Sequence, residues 1–162
     1  MPATYEPIAT TTLGSAASSI TFNSIPGTYT DLRLVFTGKS AGGSNTLRLR
    51  FNSDSGTNYS RTSLTGSGSS ATSAQNSSTD NAFIGAVNTL QMMCNVDIFS
   101  YAGSTNKTLL SELSLDQNGS GEVRRTVCLW RSTSVITAIE LYLSAANFDA
   151  GATATLYGIK AA

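Results

Sequence analysis

Two carboxylates have the residue type and the spacing for acid–base chemistry. Asp97 and Glu112 fall in neighbouring segments that are both predicted to be β-strands. A glycoside hydrolase needs little more than two acidic side chains facing one cleft. The sequence does not show that these two face each other, and ten scattered acidic residues always offer such a pair. We therefore assign them no catalytic role.

Histidine is missing from all 162 residues. Serine and cysteine nucleophiles of the common triads rely on a histidine base, and most protein zinc and iron sites use imidazole ligands. The composition thus excludes those triads and most such metal sites. We predict a protein that is not an enzyme, with no catalytic residues, no cofactor and no metal.

Two short motifs match catalytic signatures only in part. Gly38–Ser40 matches the end of a phosphate-binding loop, but Arg33 stands where that loop requires its first glycine. Ser104 and Lys107 have the spacing of serine acyl enzymes, which works when a helix brings both side chains to one face. Here the pair falls at the predicted turn Gly103–Asn106. Neither motif predicts a site.

The segment Asn52–Asn58 superficially resembles a calcium-binding loop, with Asn and Asp side chains alternating around Gly56. Ser63 stands where the bidentate glutamate of such a loop belongs. We expect turn-type hydrogen bonds from these side chains instead.

Arg48 and Arg50 are candidate interface residues. They alternate with Leu47, Leu49 and Phe51, so both guanidinium groups should lie on the opposite face of a strand from the apolar set. A solvated face is one interpretation, and pairing with carboxylates of another subunit is the other.

Composition limits the classes of partner. Apolar residues make up 40% of the chain and charged residues only 12%, about half the share of an average soluble domain. Ten basic and ten acidic residues cancel without forming a like-charge run. Such a chain lacks the positive field that phosphate backbones and anionic lipids attract. We predict neither nucleic acid nor membrane as a partner.

The length suits one domain. No apolar run approaches the roughly 18 residues of a spanning helix, and the N-terminus lacks the basic start and apolar run of a signal peptide. We therefore expect folding in a cytoplasm.

Cys94 and Cys128 lie in apolar strand-like segments, which favours buried reduced thiols over a disulfide.

Alternation of apolar and polar residues predicts β-strands in segment after segment. The clearest cases are Leu32, Leu34, Phe36; Leu47, Leu49, Phe51; and Val123, Val127, Leu129. Further strands are predicted at Ser19–Phe22, Ser60–Leu64, Asn81–Ile84, Cys94–Tyr101, Lys107–Leu115, Val135–Leu143 and Thr153–Ile159. About nine or ten short strands and no helix favour an all-β, antiparallel two-sheet sandwich, jelly-roll-like, over a closed barrel.

Turn-forming clusters separate these strands, and 117–121 is predicted to be a hairpin loop. Residues 66–80 contain few large apolar side chains and are predicted to be a flexible loop at the domain edge.

Residues 1–14 are predicted to form an N-terminal arm, and residues 15–162 a single β-sandwich domain. Tyr5, Ile8 and Leu13 are apolar but show no strand alternation. They are candidate interface residues that need a partner surface. The alternative is that the segment packs along its own sheet.

Several phrases of the sequence resemble small structural proteins of tailed bacteriophage particles, including cyanophages. They are YEPIATTTLGSAASSITFNSIPGTYTDLRLVF, LRFNSDSGTNYSRTSL, IFSYAGSTNKTLLSE, CLWRSTSVITAIELYL and TLYGIK. The resemblance extends over most of the chain, from about residue 5 to residue 160, and brings no catalytic residues with it.

The resemblance implies a virion protein of the capsid decoration (cement) or tail-module kind. As a cement protein it would be assembled in the host cytoplasm, bind the phage major capsid protein on the outer capsid surface and stabilise contacts between capsid subunits. A homo-oligomer, favoured as a trimer, would suit a local symmetry axis. The alternative is a tail or fibre module that binds host-surface glycan or adapts virion parts.

Overall fold

The computed structural model describes residues 4–116 and 118–160, and these contain twelve β-strands and no helix. The strands are β1 (Tyr5–Thr12), β2 (Ser19–Phe22), β3 (Asp31–Gly38), β4 (Asn45–Phe51), β5 (Tyr59–Gly66), β6 (Ala71–Thr79), β7 (Ala82–Val87), β8 (Met92–Phe99), β9 (Lys107–Asp116), β10 (Gly121–Trp130), β11 (Ile139–Leu143) and β12 (Thr153–Ile159).

The strands form two antiparallel sheets. The larger has eight strands in the order β1-β12-β3-β8-β9-β10-β5-β6, and the smaller has four in the order β2-β11-β4-β7. The chain moves repeatedly from one sheet to the other. The prediction of an all-β, antiparallel two-sheet sandwich is confirmed. The described residues include no helix long and apolar enough to cross a membrane.

The core lies between the two sheets and follows the alternation in the sequence. All six predicted interior residues of β3 and β4 are at most 1% exposed, namely Leu32, Leu34, Phe36, Leu47, Leu49 and Phe51. Cys94 and Cys128 also lie in this core as free thiols, so the prediction of buried reduced thiols is confirmed. Burial raises the pKa of both thiols, that of Cys128 to about 12.

The predicted strand around Val123–Leu129 is present as β10, and its apolar residues lie on both faces. Val123 and Val127 are 58% and 43% exposed, whereas Thr126, Cys128 and Trp130 are buried. The hydroxyl of Thr126 donates to the Ile84 carbonyl of the other sheet over 3.4 Å. A threonine can therefore face the interior, and the valine face of β10 is the exposed one.

The predicted loop 66–80 is mostly a strand. Strand β6 pairs with β5 from Gly66↔Ala71 to Tyr59↔Thr79, with one irregularity between Tyr59 and Arg61. A β-ladder is held by main-chain hydrogen bonds, which need no apolar side chains. Only the turn around Ser67–Ser70 remains of the predicted loop.

The predicted N-terminal arm also belongs to the sandwich over its described residues. Strand β1 pairs with β12 from Tyr5↔Ile159 to Thr12↔Thr153, with a bulge between Pro7 and Ala9. The bulge interrupts the alternation, which is why the sequence pattern did not reveal a strand. The alternative, packing along its own sheet, is what the structure has. The part of the predicted arm at positions 1–3 lies outside the described residues.

Candidate interaction surface

The candidate site is the outer face, defined here as the face of the eight-stranded sheet that points away from the four-stranded sheet. In the described part of the chain, eight large apolar side chains are exposed, and six of them belong to this face. They are Tyr5, Leu64, Met93, Phe99, Val123 and Val127, with exposed fractions between 42% and 59%. In β8 and β10 they alternate with buried core residues, among them Cys94, Ile98 and Cys128. The large sheet is therefore partly apolar on both faces.

Three of these side chains form a cluster through the register of β5 and β10. Leu64 lies directly opposite Arg125, and Val123 and Val127 flank Arg125 along its own strand. Diagonal neighbours of this kind lie about 7–8 Å apart, within reach of long side chains. The result is an apolar patch around one arginine.

Two ion pairs lie on the outer face. Arg33 Nε lies 3.1 Å from Asp97 Oδ1, and Arg125 Nη2 lies 3.1 Å from Glu112 Oε2. Both carboxylates considered in the sequence for acid–base chemistry are thus on one face. Glu112 is opposite Asn95, two residues from Asp97. Each carboxylate has its own arginine and lies on an open sheet rather than in a cleft, so the pair neutralises charge there.

Arg48 and Arg50 lie on the exposed side of the smaller sheet, opposite the buried Leu47 and Leu49, as predicted. Arg50 Nη1 lies 3.3 Å from Glu140 Oε2, and its Nη2 donates to the Tyr142 hydroxyl over 3.0 Å. The Arg50 charge therefore has a carboxylate partner within its own chain.

The three apolar candidates of the N-terminal segment differ in their environment. Ile8 and Leu13 are partly buried and pack against the core. Tyr5 is 47% exposed on the outer face, 6.5 Å from the ring of Tyr157, and its hydroxyl accepts from Arg33 over 3.2 Å. Of the three, Tyr5 is the one available to a partner.

The loop that resembles a calcium site is held by turn-type hydrogen bonds. The Gly56 N–H donates to Asp54 Oδ1 over 2.9 Å, and the buried Trp130 indole N–H donates to Asp54 Oδ2 over 2.7 Å. Burial acts to raise the pKa of Asp54, but the hydrogen bonds that its oxygens accept outweigh it and lower the pKa below its usual value. The expectation of Asx hydrogen bonding is confirmed. Among residues 4–116 and 118–160, no group of three or more Cys, Asp and Glu side chains could hold a metal ion.

The remaining partial motifs are structural. A side chain at Gly38 would approach Phe36 and Ala152 to within 2.8 Å, so close packing requires glycine there. Lys107 is fully buried, and its ammonium donates to main-chain carbonyls of Gly103, Thr105 and Thr133. Burial lowers the pKa of Lys107.

Two large aromatic residues that could form a sugar-binding platform lie in the core instead. Tyr59 and Trp130 are buried and stacked, with ring centroids 6.2 Å apart and planes 18° apart. A shallow groove of about 590 Å³ crosses β5, β6 and β10, and no aromatic residue lines it.

No protein-family model matches this chain, and no curated protein is significantly similar to it. The outer face was not found from the sequence. Its signal was present in β10, where Val123 and Val127 alternate with Cys128 and Trp130, so that apolar residues fall on both faces of one strand.

Proposed function

We propose that this chain is a structural protein of a phage particle, a cement protein that binds the capsid shell through its outer face. The apolar patch on that face is the observation that carries the proposal. The sequence resemblance to small virion proteins supplies the partner, the phage major capsid protein. The protein then acts on the outer capsid surface after assembly in the host cytoplasm.

The size of the outer face suits this role. Eight strands spaced about 4.8 Å apart, each about eight residues long at about 3.3 Å per residue, give a face of roughly 900 Å². A standard protein–protein interface buries about 800 Å² on each partner. One face of this sheet is therefore large enough to form a complete interface.

The chemistry of the face also suits a protein partner. Its apolar side chains supply surface that is stabilised by burial, and its arginines are already paired with Asp97 and Glu112. A neighbouring subunit would therefore meet both arginines with their charge already compensated. Stabilising contacts between capsid subunits needs such a surface on a rigid scaffold. It needs no catalytic step, cofactor or metal.

The test uses particles of the phage that encodes the chain. Val127→Lys and Leu64→Lys each place a charge in the apolar patch, and we expect either to reduce the protein's copy number on purified particles at least tenfold. Thr21→Lys, on the exposed side of the smaller sheet, is the matched control and should leave the copy number unchanged. Mass spectrometry of the particles measures all three.

Copy number in the wild-type particle separates the shell from the tail. A cement protein should be present on the order of hundreds of copies, because it repeats with the symmetry of the shell. A few to a few tens of copies would identify a tail or fibre module and overturn the proposal. Normal incorporation of both patch variants would overturn the assignment of the outer face.

A further inference from the structure

The two sheets end in four edge strands, β1, β6, β2 and β7. An edge strand presents unpaired main-chain N–H and C=O groups that can pair with another chain, and proteins usually block such edges. The four edges of this molecule differ in how they are blocked.

Three edges carry recognisable protection. Strand β1 contains Pro7, which has no N–H, and a bulge beside it. Strand β2 is only four residues long. Strand β7 is covered by β10, whose Thr126 and Cys128 side chains donate to the carbonyls of Ile84 and Phe83 over 3.4 Å each. Proline, bulges, short strands and covering elements are the common means of preventing edge pairing.

Over residues 71–76, strand β6 has none of these protections, and its one irregularity lies beyond them, between Asn76 and Thr79. It is nine residues long, contains no proline and no charged residue, and eight of its nine residues are exposed. The whole stretch 62–79 is free of charged side chains. Its one neighbour in the sheet is β5, and its six residues 71–76 form a regular ladder with that strand. A long, uncharged edge of this kind is a template for strand addition.

We propose that β6 pairs antiparallel with β6 of a second copy of this chain. The second copy is the fitting occupant for two reasons. The strand carries no charge, so two copies approach without repulsion, and antiparallel self-pairing satisfies both edges at once in a closed two-fold dimer. Pairing of β6 with the β1 edge of another copy would instead meet Pro7 and the bulge.

The sheet geometry restricts the register of this pair. Residues directly opposite each other in a sheet point to the same face. One residue of β6 must therefore lie opposite the same residue of the second copy, with the two-fold axis midway between them. Placing Ala74 opposite Ala74 of the second copy uses the regular part of the strand, residues 71–76. In this register Ser73 lies opposite Gln75 of the second copy. The axis is perpendicular to the sheet, so the two outer faces join into one surface of sixteen strands.

The pairing concerns the isolated protein and does not depend on the cement role. It gives a dimer in place of the trimer that the resemblance favoured. Sedimentation velocity over a concentration series should show the full-length wild-type protein as a dimer. The double variant Ser73→Lys, Gln75→Lys sets like charges opposite each other and should sediment as a monomer with an unchanged circular dichroism spectrum.

The matched control is Thr10→Lys, Thr12→Lys, which adds the same two charges on the same face at the β1 edge, and it should remain a dimer. A disulfide scan gives an independent measurement. Opposite residues in an antiparallel pair have Cα atoms about 4.5–5.5 Å apart, which suits a disulfide. The scan compares Ser73→Cys, Ala74→Cys and Gln75→Cys. Ala74→Cys should cross-link to its own copy in the highest yield, because that residue lies opposite itself.

A wild-type protein that is monomeric at every concentration would overturn the proposal. A dimer that Ser73→Lys, Gln75→Lys leaves intact, together with no cross-link at any of the three positions, would also overturn it. The interface would then lie elsewhere. Failure of particle binding with an intact dimer would affect the cement role alone.

Discussion

Glu6 and Lys160 join the two ends of the fold: Glu6 Oε1 lies 2.8 Å from Lys160 Nζ, although the residues are 154 positions apart in the chain. The hydroxyl of Tyr29 donates to the other oxygen of the same carboxylate over 3.3 Å. The hydrogen bond and charge of Lys160 lower the pKa of Glu6, and Glu6 in turn raises the pKa of Lys160. These contacts attach β1 to Tyr29, which precedes β3, and to Lys160, which follows β12.

Deleting residues 1–12 should destabilise the domain rather than merely detach an arm. The deletion removes the β1–β12 ladder and the partly buried Ile8. We expect a loss of about 2–4 kcal/mol in the free energy of unfolding, which for a domain of this size lowers Tm by roughly 5–15 °C. Thermal unfolding by circular dichroism measures it. An unchanged Tm would show that β1 is not part of the cooperative unit.

Asp54→Ala should destabilise the sandwich by about 1–3 kcal/mol, because the buried Trp130 indole N–H loses its acceptor. Chemical denaturation of the variant and the wild type gives this difference. Asp116→Ala, which removes a comparable Asx hydrogen bond to Asn118 at the exposed β9–β10 turn, is the control and should cost less.

The same carboxylate predicts a pH dependence. The folded-state pKa of Asp54 is below its usual value of 3.8, so the unfolded chain binds the proton more tightly. The stabilisation of the fold by the ionised Asp54 carboxylate is therefore fully present above pH 3.8. It is lost as the pH falls through the lower folded-state pKa. The stability difference between wild type and Asp54→Asn should shrink as the pH falls below about 4. A difference that stays constant from pH 6 to about 2 would contradict this assignment.

Lys107→Met should cost about 2–3 kcal/mol of stability, because three main-chain carbonyls lose their donor while the methionine fills a similar volume. The control is Lys39→Met, which removes an exposed ion pair with Asp149 and should cost less than about 1 kcal/mol. Denaturant midpoints of the two variants test the comparison. Equal midpoints would show that the carbonyl contacts of Lys107 contribute nothing.

Both cysteines should resist thiol reagents in the folded protein. Cys94 and Cys128 are each about 1% exposed, and burial raises both thiol pKa values, so almost no thiolate is present at neutral pH. Labelling by an aromatic disulfide reagent at pH 7 should be negligible, and two thiols should react after denaturation. Rapid labelling of either thiol in the native state would contradict their placement in the core.

The sequence determined the fold class and the interior of the sandwich. Strict alternation in β3 and β4 assigns each side chain to a face, because successive residues of a strand point to opposite sides of the sheet. Local turn chemistry also followed from residue types, as the hydrogen bonds of Asp54 show. These features depend on neighbours in the chain.

Only the tertiary structure decided which face of β10 is buried, that β1 and β6 are strands, and that the outer face is an apolar surface. In β10 both faces carry apolar residues, so the choice depended on which side the smaller sheet covers. Strands β1 and β6 lack a regular apolar pattern because they are edge strands held by main-chain pairing with β12 and β5. That pairing joins segments distant in the chain, and side-chain periodicity contains no information about it.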